Sequence, residues 1–414
     1  MNAIIKKSNI KGEIVAPPSK SYAHRLLICA FLSKKSCVVE NIELSSDVTA
    51  TLGILKELGA NFEILDDKVA FYTPKCVDCE NLILNAVESG STLRFFLPIC
   101  ASLGKKATFI GSKRLMERPI DDLADCLNEH GAKISGFTVN GKLQAGKYVI
   151  NATLSSQYVS GLLFALSTLD GVSEIIVEGK KTSVNYVDMT VNALSLFGIK
   201  IEKTNQGYKI WGNTFKQVEK VVVEGDYSNS AFFLCLGALG GDILIKGLNK
   251  NSLQGDREII NVLKKFGANI YWQNGDLKVE KSRLDGITVD IENIPDLAQI
   301  IAVVGAFSNG KTTLKNVERL RIKESDRAKG IVDTLSQAGA QVELDNNQIT
   351  ILGTTPKCAV FDGKNDHRTV MSSAVLALLV DGESKIIGAE AVNKSYPTFF
   401  EKVKSLGGEI NVDI

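Results

Sequence analysis

The stretch IINVLKKFGANIYWQ, residues 259–273, joins an amphipathic run, a glycine and an alternating run, and it recurs along the chain. Its relatives are TLGILKELGANFEIL (51–65), LADCLNEHGAKISGF (123–137), TVNALSLFGIKIEKT (190–204), IVDTLSQAGAQVELD (331–345) and FFEKVKSLGGEINVDI (399–414). The shared glycines are 72, 67, 69, 72 and 68 residues apart, at Gly59, Gly131, Gly198, Gly267, Gly339 and Gly407. This regular spacing indicates six copies of one unit of about 70 residues.

Each copy predicts a helix that ends at its glycine and is followed by a β-hairpin. A helix C-terminus favours a residue that tolerates positive φ, and glycine does so without steric cost. Hairpin turns are predicted at LDD (65–67), VNG (139–141), NQG (205–207), QNG (273–275) and DNN (345–347). Because a β-rich run such as GGDILIKG (240–247) precedes each helix, the unit is predicted to be strand, loop, helix, hairpin.

The domain organisation follows from the length and from an unfinished sixth copy. A chain of 414 residues exceeds the usual size of one hydrophobic core, so two domains of three copies each are expected. The sixth copy ends one strand short, and the β-rich N-terminal segment AIIKKSNIKGEIVA (3–16) can supply the missing strand. We predict a C-terminal-half domain from residues 1–16 and 226–414, an N-terminal-half domain from residues 17–225, and a mixed α/β fold.

The overall charge and hydropathy exclude several classes of partner. The 48 Lys and Arg residues are balanced by 47 Asp and Glu residues, so no global field attracts nucleic acid or membranes. No apolar run approaches the roughly 18 residues of a membrane helix, and the N-terminus has no signal-peptide pattern. A cytoplasmic protein with neither partner is expected.

The cysteines and histidines do not indicate a metal or redox site. The eight cysteines are scattered, mostly in apolar runs, and are expected to be reduced. Cys76 and Cys79 form a lone CxxC, which favours a structural or incidental role over a zinc or redox role, because zinc needs four ligands. The three histidines are far apart in sequence, so we expect no metal or other cofactor.

The segment GAFSNGKT, residues 305–312, satisfies the P-loop expression but has the wrong surroundings. A P-loop follows a strand and opens a helix, whose N-terminal amides hold phosphate. Here PDLAQIIAVVGAFS (295–308) predicts a helix before the motif, and TTLKNVERL (312–320) predicts a strand after it. The repeat also aligns Gly310 and Lys311 with Gly104 and Lys105, in a turn that enters a strand. We therefore interpret the motif as a turn.

Basic and hydroxyl side chains concentrate where helices of the N-terminal half are predicted to begin. PPSKSYAHR (17–25) ends in Arg25, ESGSTLR (88–94) places Arg94 in a first helical turn, and LMERPIDDL (115–123) carries Arg118 at a loop-to-helix junction. Helix N-termini attract anions, which these side chains would help to bind. The other candidates in this half are Lys20, Ser21, Ser155, Ser156 and Gln157, with Ser183 and Tyr186 in the next loop.

The densest cluster of charge lies in the C-terminal half, in the loop RLRIKESDR (319–327). Glu324 among these cations is a candidate proton carrier, and Arg327 can bind a carboxylate through two hydrogen bonds. The segment NDHR (365–368) adds Asp366, His367 and Arg368, and Lys394 follows. Together the loops predict a cationic cleft for two small, doubly ionised anions. The alternative is that these charges and caps belong to ordinary surface loops and helix ends.

In this order the motifs PPSKS, SGST, ERP, SSQ, GDYS, IPD, RIKESDR and NDHR resemble those of the 5-enolpyruvylshikimate-3-phosphate synthase family, over essentially the whole chain. The resemblance implies two inside-out α/β barrel domains, each of three βαβαββ units, that close on the substrate. It also implies transfer of the enolpyruvyl group of phosphoenolpyruvate to the 5-hydroxyl of shikimate 3-phosphate, in aromatic amino-acid biosynthesis. The partners would be these two substrates, bound by a monomer.

The resemblance also assigns roles by motif. Asp296 would accept the 5-hydroxyl proton, and Glu324, with Lys20, would protonate the methylene carbon. The residues implied for shikimate 3-phosphate are Lys20, Ser21, Arg25, Ser155, Ser156, Gln157, Ser183, Tyr186, Asp296, Arg319 and Lys323. Those implied for phosphoenolpyruvate are Lys20, Gly90, Arg94, Arg118, Gln157, Arg327, Arg368 and Lys394.

Two departures and two alternatives accompany this resemblance. Many relatives have Asn where Glu88 stands, and some have Asn near Arg319; the added carboxylate of Glu88 is expected to affect inhibitor sensitivity but not the core roles. One alternative is the related UDP-N-acetylglucosamine enolpyruvyltransferase, which typically has Lys-Asn in place of Lys20-Ser21 and a reactive cysteine. The other is a phosphate-ligand binding protein without catalysis, which would need the cations but not the Asp296 and Glu324 pair.

Overall fold

The computed structural model describes residues 1–73, 81–180 and 183–413, and these form two compact units. Unit N is Pro18–Glu224, and unit C combines Met1–Pro17 with Gly225–Ile414. The predicted breaks, after residues 16 and 225, each lie one residue from those of the structure, after residues 17 and 224. Cys76 and Cys79, the predicted structural or incidental CxxC, lie outside the described residues.

Two strands of unit C come first in the chain and three repeats of unit N follow. The two strands are β1 (Asn2–Lys6) and β2 (Lys11–Val15). Repeat 1 contains α1 (Lys20–Leu32), β3 (Cys37–Glu40), α2 (Ser46–Glu57), β4 (Asn61–Leu65) and β5 (Lys68–Tyr72). Repeat 2 contains β6 (Leu82–Asn85), α3 (Gly90–Ser102), β7 (Ala107–Ile110), α4 (Lys113–Met116), α5 (Asp121–Asn128), β8 (Ala132–Ser135) and β9 (Thr138–Gly141). Repeat 3 contains β10 (Lys147–Asn151), α6 (Gln157–Leu166), β11 (Val172–Glu178), α7 (Val184–Leu196), β12 (Lys200–Lys203) and β13 (Gly207–Trp211), and β14 (Lys220–Val222) ends the unit.

Unit C contains the other three repeats, with short 3-10 turns before several helices. Repeat 4 contains α8 (Tyr227–Gly240), β15 (Asp242–Lys246), the turn Gly255–Glu258, α9 (Ile259–Phe266), β16 (Asn269–Gln273) and β17 (Asp276–Glu280). Repeat 5 contains β18 (Thr288–Asp290), the turn Pro295–Leu297, α10 (Ala298–Phe307), β19 (Lys311–Lys315), the turn Glu318–Ile322, α11 (Arg327–Gln337), β20 (Gln341–Asp345) and β21 (Gln348–Leu352). Repeat 6 contains β22 (Val360–Asp362), α12 (His367–Leu379), β23 (Glu383–Ile387), the turn Ala389–Lys394, α13 (Phe399–Ser405) and β24 (Ile410–Asp413).

The described strands form six four-stranded sheets, each with one parallel pair followed by antiparallel pairs. Repeats 2, 3 and 5 build the sheets β6-β7-β9-β8, β10-β11-β13-β12 and β18-β19-β21-β20 from their own strands. The other three sheets each borrow a strand: β14 completes the sheet of repeat 1, β2 that of repeat 4 and β1 that of repeat 6. The N-terminal segment therefore gives unit C two strands, where the unfinished sixth copy accounts for only one.

Each repeat contains more helices and strands than the residue pattern indicates. Besides the predicted strand, helix and hairpin, each repeat has a first helix and a first strand, which repeats 1 and 4 borrow as β14 and β2; this gives the βαβαββ order that the resemblance implies. The first helices are buried over most of their surface, as in α10, where every residue of Ala298–Ala306 is buried, so they lack an amphipathic pattern. Strands such as β10 alternate between buried and exposed residues against these helices. Buried helices inside and half-exposed sheets outside confirm the inside-out α/β fold.

The local signals were mostly confirmed. The glycine that ends each predicted helix has positive φ, between 76° and 100°. GAFSNGKT spans the end of α10 and the start of β19, which confirms the turn rather than a P-loop. The prediction of a turn at VNG (139–141) is wrong. Thr138 pairs with Ser135, so the hairpin turns at Gly136 and Phe137. In the described residues, no helix is long and apolar enough to cross a membrane.

Candidate functional site

The start of α1 holds a buried arginine among neutral oxygen atoms. Ser19 caps the helix by accepting from the Tyr22 amide, and Arg25 lies in the next turn with 2% of its surface exposed. The Arg25 guanidinium donates to Thr190 Oγ1 at 2.8 Å and to the backbone oxygens of Ser21 at 2.6 Å and Tyr186 at 2.9 Å. Burial lowers the pKa of Arg25 to about 10. Among the residues that the structure describes, no carboxylate pairs with this cation, so it can bind an anionic ligand.

Other predicted residues of unit N adjoin this arginine or the same helix. The Lys20 ammonium contacts Asp47 Oδ2 at 2.7 Å, in a half-buried ion pair that the sequence did not indicate. Ser183 precedes α7 with a left-handed backbone conformation, φ of 52°, which is uncommon for a residue other than glycine. Tyr186 lies in the first turn of α7 rather than in a loop, and its carbonyl joins α7 to Arg25.

Two further guanidinium groups converge on Gly90, the first residue of α3. A Cβ atom added to Gly90 would lie 2.5 Å from Arg118 NH1 and 3.0 Å from Arg94 NH1. Arg94 is the fifth residue of α3, so it lies beyond the first turn in which the sequence placed it. Like charges this close repel each other, and an anion bound between them would relieve the repulsion.

Gln157, at the start of α6, holds Arg94 in place. Its amide oxygen accepts from Arg94 NH1 at 3.0 Å, and its amide nitrogen donates to Ser91 Oγ at 2.8 Å. Arg94 NH2 donates to the carbonyl of Pro119, the residue after Arg118, at 3.3 Å. The starts of α3 and α6 and the segment before α5 therefore meet at one place, as the repeated loop-to-helix junctions predict. Ser155 and Ser156 precede Gln157, and Ser155 Oγ accepts from its backbone amide.

Unit C contains a buried guanidinium that binds three carboxylates. Arg327, with 1% of its surface exposed, contacts Asp366 Oδ2 at 2.8 Å, Asp296 Oδ1 at 2.7 Å and Glu324 Oε2 at 2.8 Å. Burial alone would lower its pKa, but the charges of Asp366, Glu324 and Asp296 hold the pKa well above its usual value. The two carboxyl groups predicted to carry protons, on Asp296 and Glu324, are therefore fixed on one cation.

Other cations of unit C surround Asp296 less tightly. Lys323 Nζ lies 3.4 Å from Asp296 Oδ1, and burial lowers the pKa of Lys323 in spite of this carboxylate. Arg368 NH2 lies 4.0 Å from Asp296 Oδ2, while Arg368 NH1 donates to the carbonyl of Ser228 at 2.9 Å. Arg319 lies in the turn before α11, and Lys394 donates to the carbonyl of Asn365.

The burial of four arginines contradicts the interpretation of the basic loops as ordinary surface charge. Arg25, Arg94, Arg327 and Arg368 are 2%, 3%, 1% and 4% exposed, so the interpretation as solvated surface charges is wrong for these four. Sequence reasoning missed the residues that hold them, above all Thr190 on Arg25 and Ser228 on Arg368. Thr190 lies inside α7 and carries no motif. Asp366 was noted beside Arg368, but its role as a partner of Arg327 had no signal in the sequence.

Comparison with known proteins gives one consistent result. The family model described as EPSP synthase (3-phosphoshikimate 1-carboxyvinyltransferase) matches residues 4–403. A 3-phosphoshikimate 1-carboxyvinyltransferase of Clostridium novyi (strain NT) is 38% identical over 427 residues, covering 99% of this chain and 98% of the relative. One of Brachyspira hyodysenteriae is 38% identical over 420 residues, covering 99% and 100%. The solved EPSP synthase of Acinetobacter baumannii has the same fold, with a TM-score of 0.83 at 23% identity, over 99% of this chain and 100% of that chain.

Proposed function

The chain belongs to the family of EPSP synthases, the 3-phosphoshikimate 1-carboxyvinyltransferases, and from this premise we propose which residues perform each part of the reaction. The enzyme transfers the enolpyruvyl group of phosphoenolpyruvate to the 5-hydroxyl of shikimate 3-phosphate and releases phosphate, in the shikimate pathway. Both substrates are anions, and one carbon atom must gain and then lose a proton. The proposal therefore needs anion-binding groups and proton-transferring groups.

Unit N is assigned the binding of anionic groups. The buried guanidinium of Arg25, bonded to neutral oxygens, supports an assignment to the phosphate of shikimate 3-phosphate. The residues proposed to act with it are Lys20, Ser21, Ser155, Ser156, Gln157, Ser183 and Tyr186. Arg94 and Arg118, which converge on Gly90, are proposed to bind phosphoenolpyruvate together with Gln157.

Unit C is assigned the proton transfers. We assign the base that receives the 5-hydroxyl proton to Asp296, and the acid that protonates the methylene carbon to Glu324, acting with Lys20. Arg327, Arg368 and Lys394 are proposed to bind phosphoenolpyruvate, and Arg319 and Lys323 to bind shikimate 3-phosphate. Phosphoenolpyruvate entering beside Arg327 would replace part of its carboxylate contacts and leave those groups available for proton transfer.

The order of steps follows from the chemistry of an enol phosphate, the group that phosphoenolpyruvate presents. Protonation of the methylene carbon makes the neighbouring carbon electrophilic, and the 5-hydroxyl oxygen bonds to it while giving its proton to Asp296. The tetrahedral intermediate then loses phosphate, which carries away the proton held by Asp296, and the new methyl group returns a proton to Glu324 to restore the double bond. The observation that carries this proposal is that one guanidinium, on Arg327, fixes Asp296 at 2.7 Å and Glu324 at 2.8 Å.

The test is phosphate release from phosphoenolpyruvate in the presence of shikimate 3-phosphate. Asp296→Asn and Glu324→Gln are each expected to lower kcat by at least about 100-fold, because each removes a proton-transferring group. Calorimetric binding of shikimate 3-phosphate should stay within about 3-fold of wild type. Glu318→Gln, at an exposed position six residues before Glu324, is the matched control and should leave kcat unchanged. Turnover retained by both site variants would reject the assignment.

The acceptor is tested in the same assay. UDP-N-acetylglucosamine in place of shikimate 3-phosphate should give no phosphate release, because the proposed acceptor groups are those for a small phosphorylated ring. Release with the nucleotide sugar and none with shikimate 3-phosphate would reject the proposed acceptor. A protein that binds both anions without catalysis would release phosphate with neither.

We also propose that the chain acts as a cytoplasmic monomer without a cofactor or a nucleic-acid or membrane partner. All the groups proposed above belong to one chain, and its net charge of +1 gives no general attraction to polyanions. Sedimentation at assay concentration is expected to give a mass near 44.8 kDa. A mass twice as large would contradict the monomer.

A further inference from the structure

A buried carboxyl group of unit C, on Asp256, has no role in the reaction as assigned above. Asp256 belongs to the 3-10 turn Gly255–Glu258, and only 1% of its surface is exposed. Burying a carboxyl group is costly, so a residue with no function at this place would more simply be neutral. The contacts of Asp256 therefore indicate what the carboxyl does.

Two hydrogen bonds connect Asp256 to Arg368 through one residue of α8. The hydroxyl of Ser228 donates to Asp256 Oδ2, and the carbonyl of Ser228 accepts from Arg368 NH1 at 2.9 Å. The Arg368 guanidinium also lies over the ring of Phe232, 5.8 Å from the ring centre. Within the described residues, Arg368 Nε makes no hydrogen bond. The contacts that direct this guanidinium therefore come from α8 and from Asp296, 4.0 Å away.

The charges that face Asp256 come from three other segments. Burial first, and then the charge of Asp296, raise the pKa of Asp256 to about 7, and Asp226 adds to this shift. Arg368 and the hydrogen bond from Ser228 act in the opposite direction. Ser228 and Arg368 therefore favour the charged form of this carboxyl, against burial and the two neighbouring aspartates.

We propose that Asp256 is a positioning residue that holds Ser228 and thereby directs the Arg368 guanidinium toward phosphoenolpyruvate. The inference rests on the assignment of Arg368 to phosphoenolpyruvate in the proposed function. Asp256 itself touches neither substrate. Loss of its hydrogen bond should weaken phosphoenolpyruvate binding in the ground state and transition state alike, which raises KM and leaves kcat nearly unchanged.

The experiment compares three variants in the phosphate-release assay. Asp256→Ala and Ser228→Ala both remove the hydrogen bond and are expected to raise the KM for phosphoenolpyruvate about 10-fold, the size of one hydrogen bond to a charged group. The kcat and the KM for shikimate 3-phosphate should stay within about 3-fold. Asp256→Asn keeps an oxygen that accepts from Ser228, so it should restore the KM for phosphoenolpyruvate to within about 3-fold of wild type.

Arg368→Lys separates failure of this inference from failure of the proposed function. If Arg368→Lys raises the KM for phosphoenolpyruvate and the two alanine variants do not, the positioning role is rejected and the assignment of Arg368 stands. If Arg368→Lys has no effect, the assignment itself fails. A rise in both KM values together with a lower Tm would show a structural role only and would also reject the inference. Ser228→Ala, which removes one hydroxyl, decides alone if Asp256→Ala does not fold.

Discussion

Units N and C are built from the same repeat, but they begin their helices with different residues. In unit N the side chains that cap helices are serines, at Ser19, Ser45, Ser89 and Ser112. In unit C they are aspartates, at Asp226, Asp326 and Asp366. Both residue types satisfy the free amides of a helix N-terminus, but only aspartate brings a negative charge to its positive end. The starts of α1 and α3 in unit N, which have a serine cap and no acidic residue in the first turn, therefore leave this positive charge available to ligands, whereas the aspartate caps of unit C partly neutralise it.

The arginines show the same difference. Burial lowers the pKa of Arg25 in unit N, where its partners are neutral oxygens, to about 10. Three carboxylates hold the pKa of Arg327 in unit C well above its usual value. An uncompensated cation suits the binding of a phosphate, and a compensated cluster of acids suits the storage and transfer of a proton. The comparison thus predicts that mutation of Arg25 will mainly affect ligand affinity and that mutation of Arg327 will mainly affect stability or turnover.

The largest effect is expected at Arg327. Arg327→Met leaves the carboxyl groups of Asp296, Glu324 and Asp366 without their shared cation, and breaking a buried ion pair from one side typically costs about 3–5 kcal/mol. Urea unfolding should show this loss in the free energy of unfolding. Lys6→Ala, which breaks the exposed ion pair with Glu383, is the control and should cost less than about 1 kcal/mol. If both variants lost the same free energy of unfolding, the buried contacts of Arg327 with its three carboxylates would not stabilise the fold as expected.

Arg25 should behave in the opposite way. Arg25→Met removes no carboxylate partner, so its loss of stability should be smaller than that of Arg327→Met. The KM for shikimate 3-phosphate should rise about 100-fold, because a buried contact between charges is worth 2 kcal/mol or more. Shikimate 3-phosphate should also raise the Tm of wild type and not that of the variant. If Arg25→Met lost as much stability as Arg327→Met and still bound shikimate 3-phosphate normally, the two arginines would not differ as proposed.

A substitution at Gly90 tests whether the convergence of Arg94 and Arg118 in unit N matters for ligand binding. Gly90→Ala places a methyl group 2.5 Å from Arg118 NH1 and 3.0 Å from Arg94 NH1, so both guanidinium groups must move. The KM for phosphoenolpyruvate is expected to rise about 10-fold with kcat nearly retained, as for lost uniform binding. Gly53→Ala is the control, because a methyl group on this glycine of α2 meets no atom within 4 Å. Equal KM values in the two variants would show that the arginines tolerate displacement.

The sequence predicted those features that depend on a few neighbouring residues. The glycines that end the second helices have positive φ because the chain turns there into a strand, and GAFSNGKT lies in a turn because a helix precedes it. The first helices, such as the one predicted at 295–308, were found one by one but not recognised as part of the repeat, since residues such as Ala298–Ala306 are buried on all sides and carry no periodic pattern. A strand borrowed from a distant part of the chain, such as β14 in the sheet of repeat 1, has no local signal either.

The candidate site divides in the same way. The basic residues were found because they lie at predicted helix starts, where anions bind. Their partners were not, because contacts such as Arg25 with Thr190 join positions 165 residues apart, and that of Arg327 with Asp366 spans 39. Whether a cation is compensated depends on such distant pairs. Sequence alone therefore indicated where charge collects but not which unit neutralises it.

The smallest effect concerns His24, which lies on α1 between Lys20 and Arg25. His24 is fully buried and its Nδ1 pairs with Thr51 Oγ1 at 2.7 Å. Burial first, and then the charges of Lys20 and Arg25, lower its pKa well below the usual 6.5. As the pH falls below about 6.5, the unfolded chain binds a proton that the folded chain does not, so the free energy of unfolding decreases with falling pH.

His24→Asn should remove this contribution, which has a slope of at most about 1.4 kcal/mol per pH unit. Urea unfolding of wild type and variant at pH 7.5, 6.5 and 5.5 measures it, and the difference in stability between them should shrink as the pH falls. The control is Arg25→Met, in which one of the two cations is gone and the decline should begin at the same pH but end at a higher one. Parallel curves for wild type and His24→Asn would mean that neither burial nor the charges of Lys20 and Arg25 lower the pKa of His24.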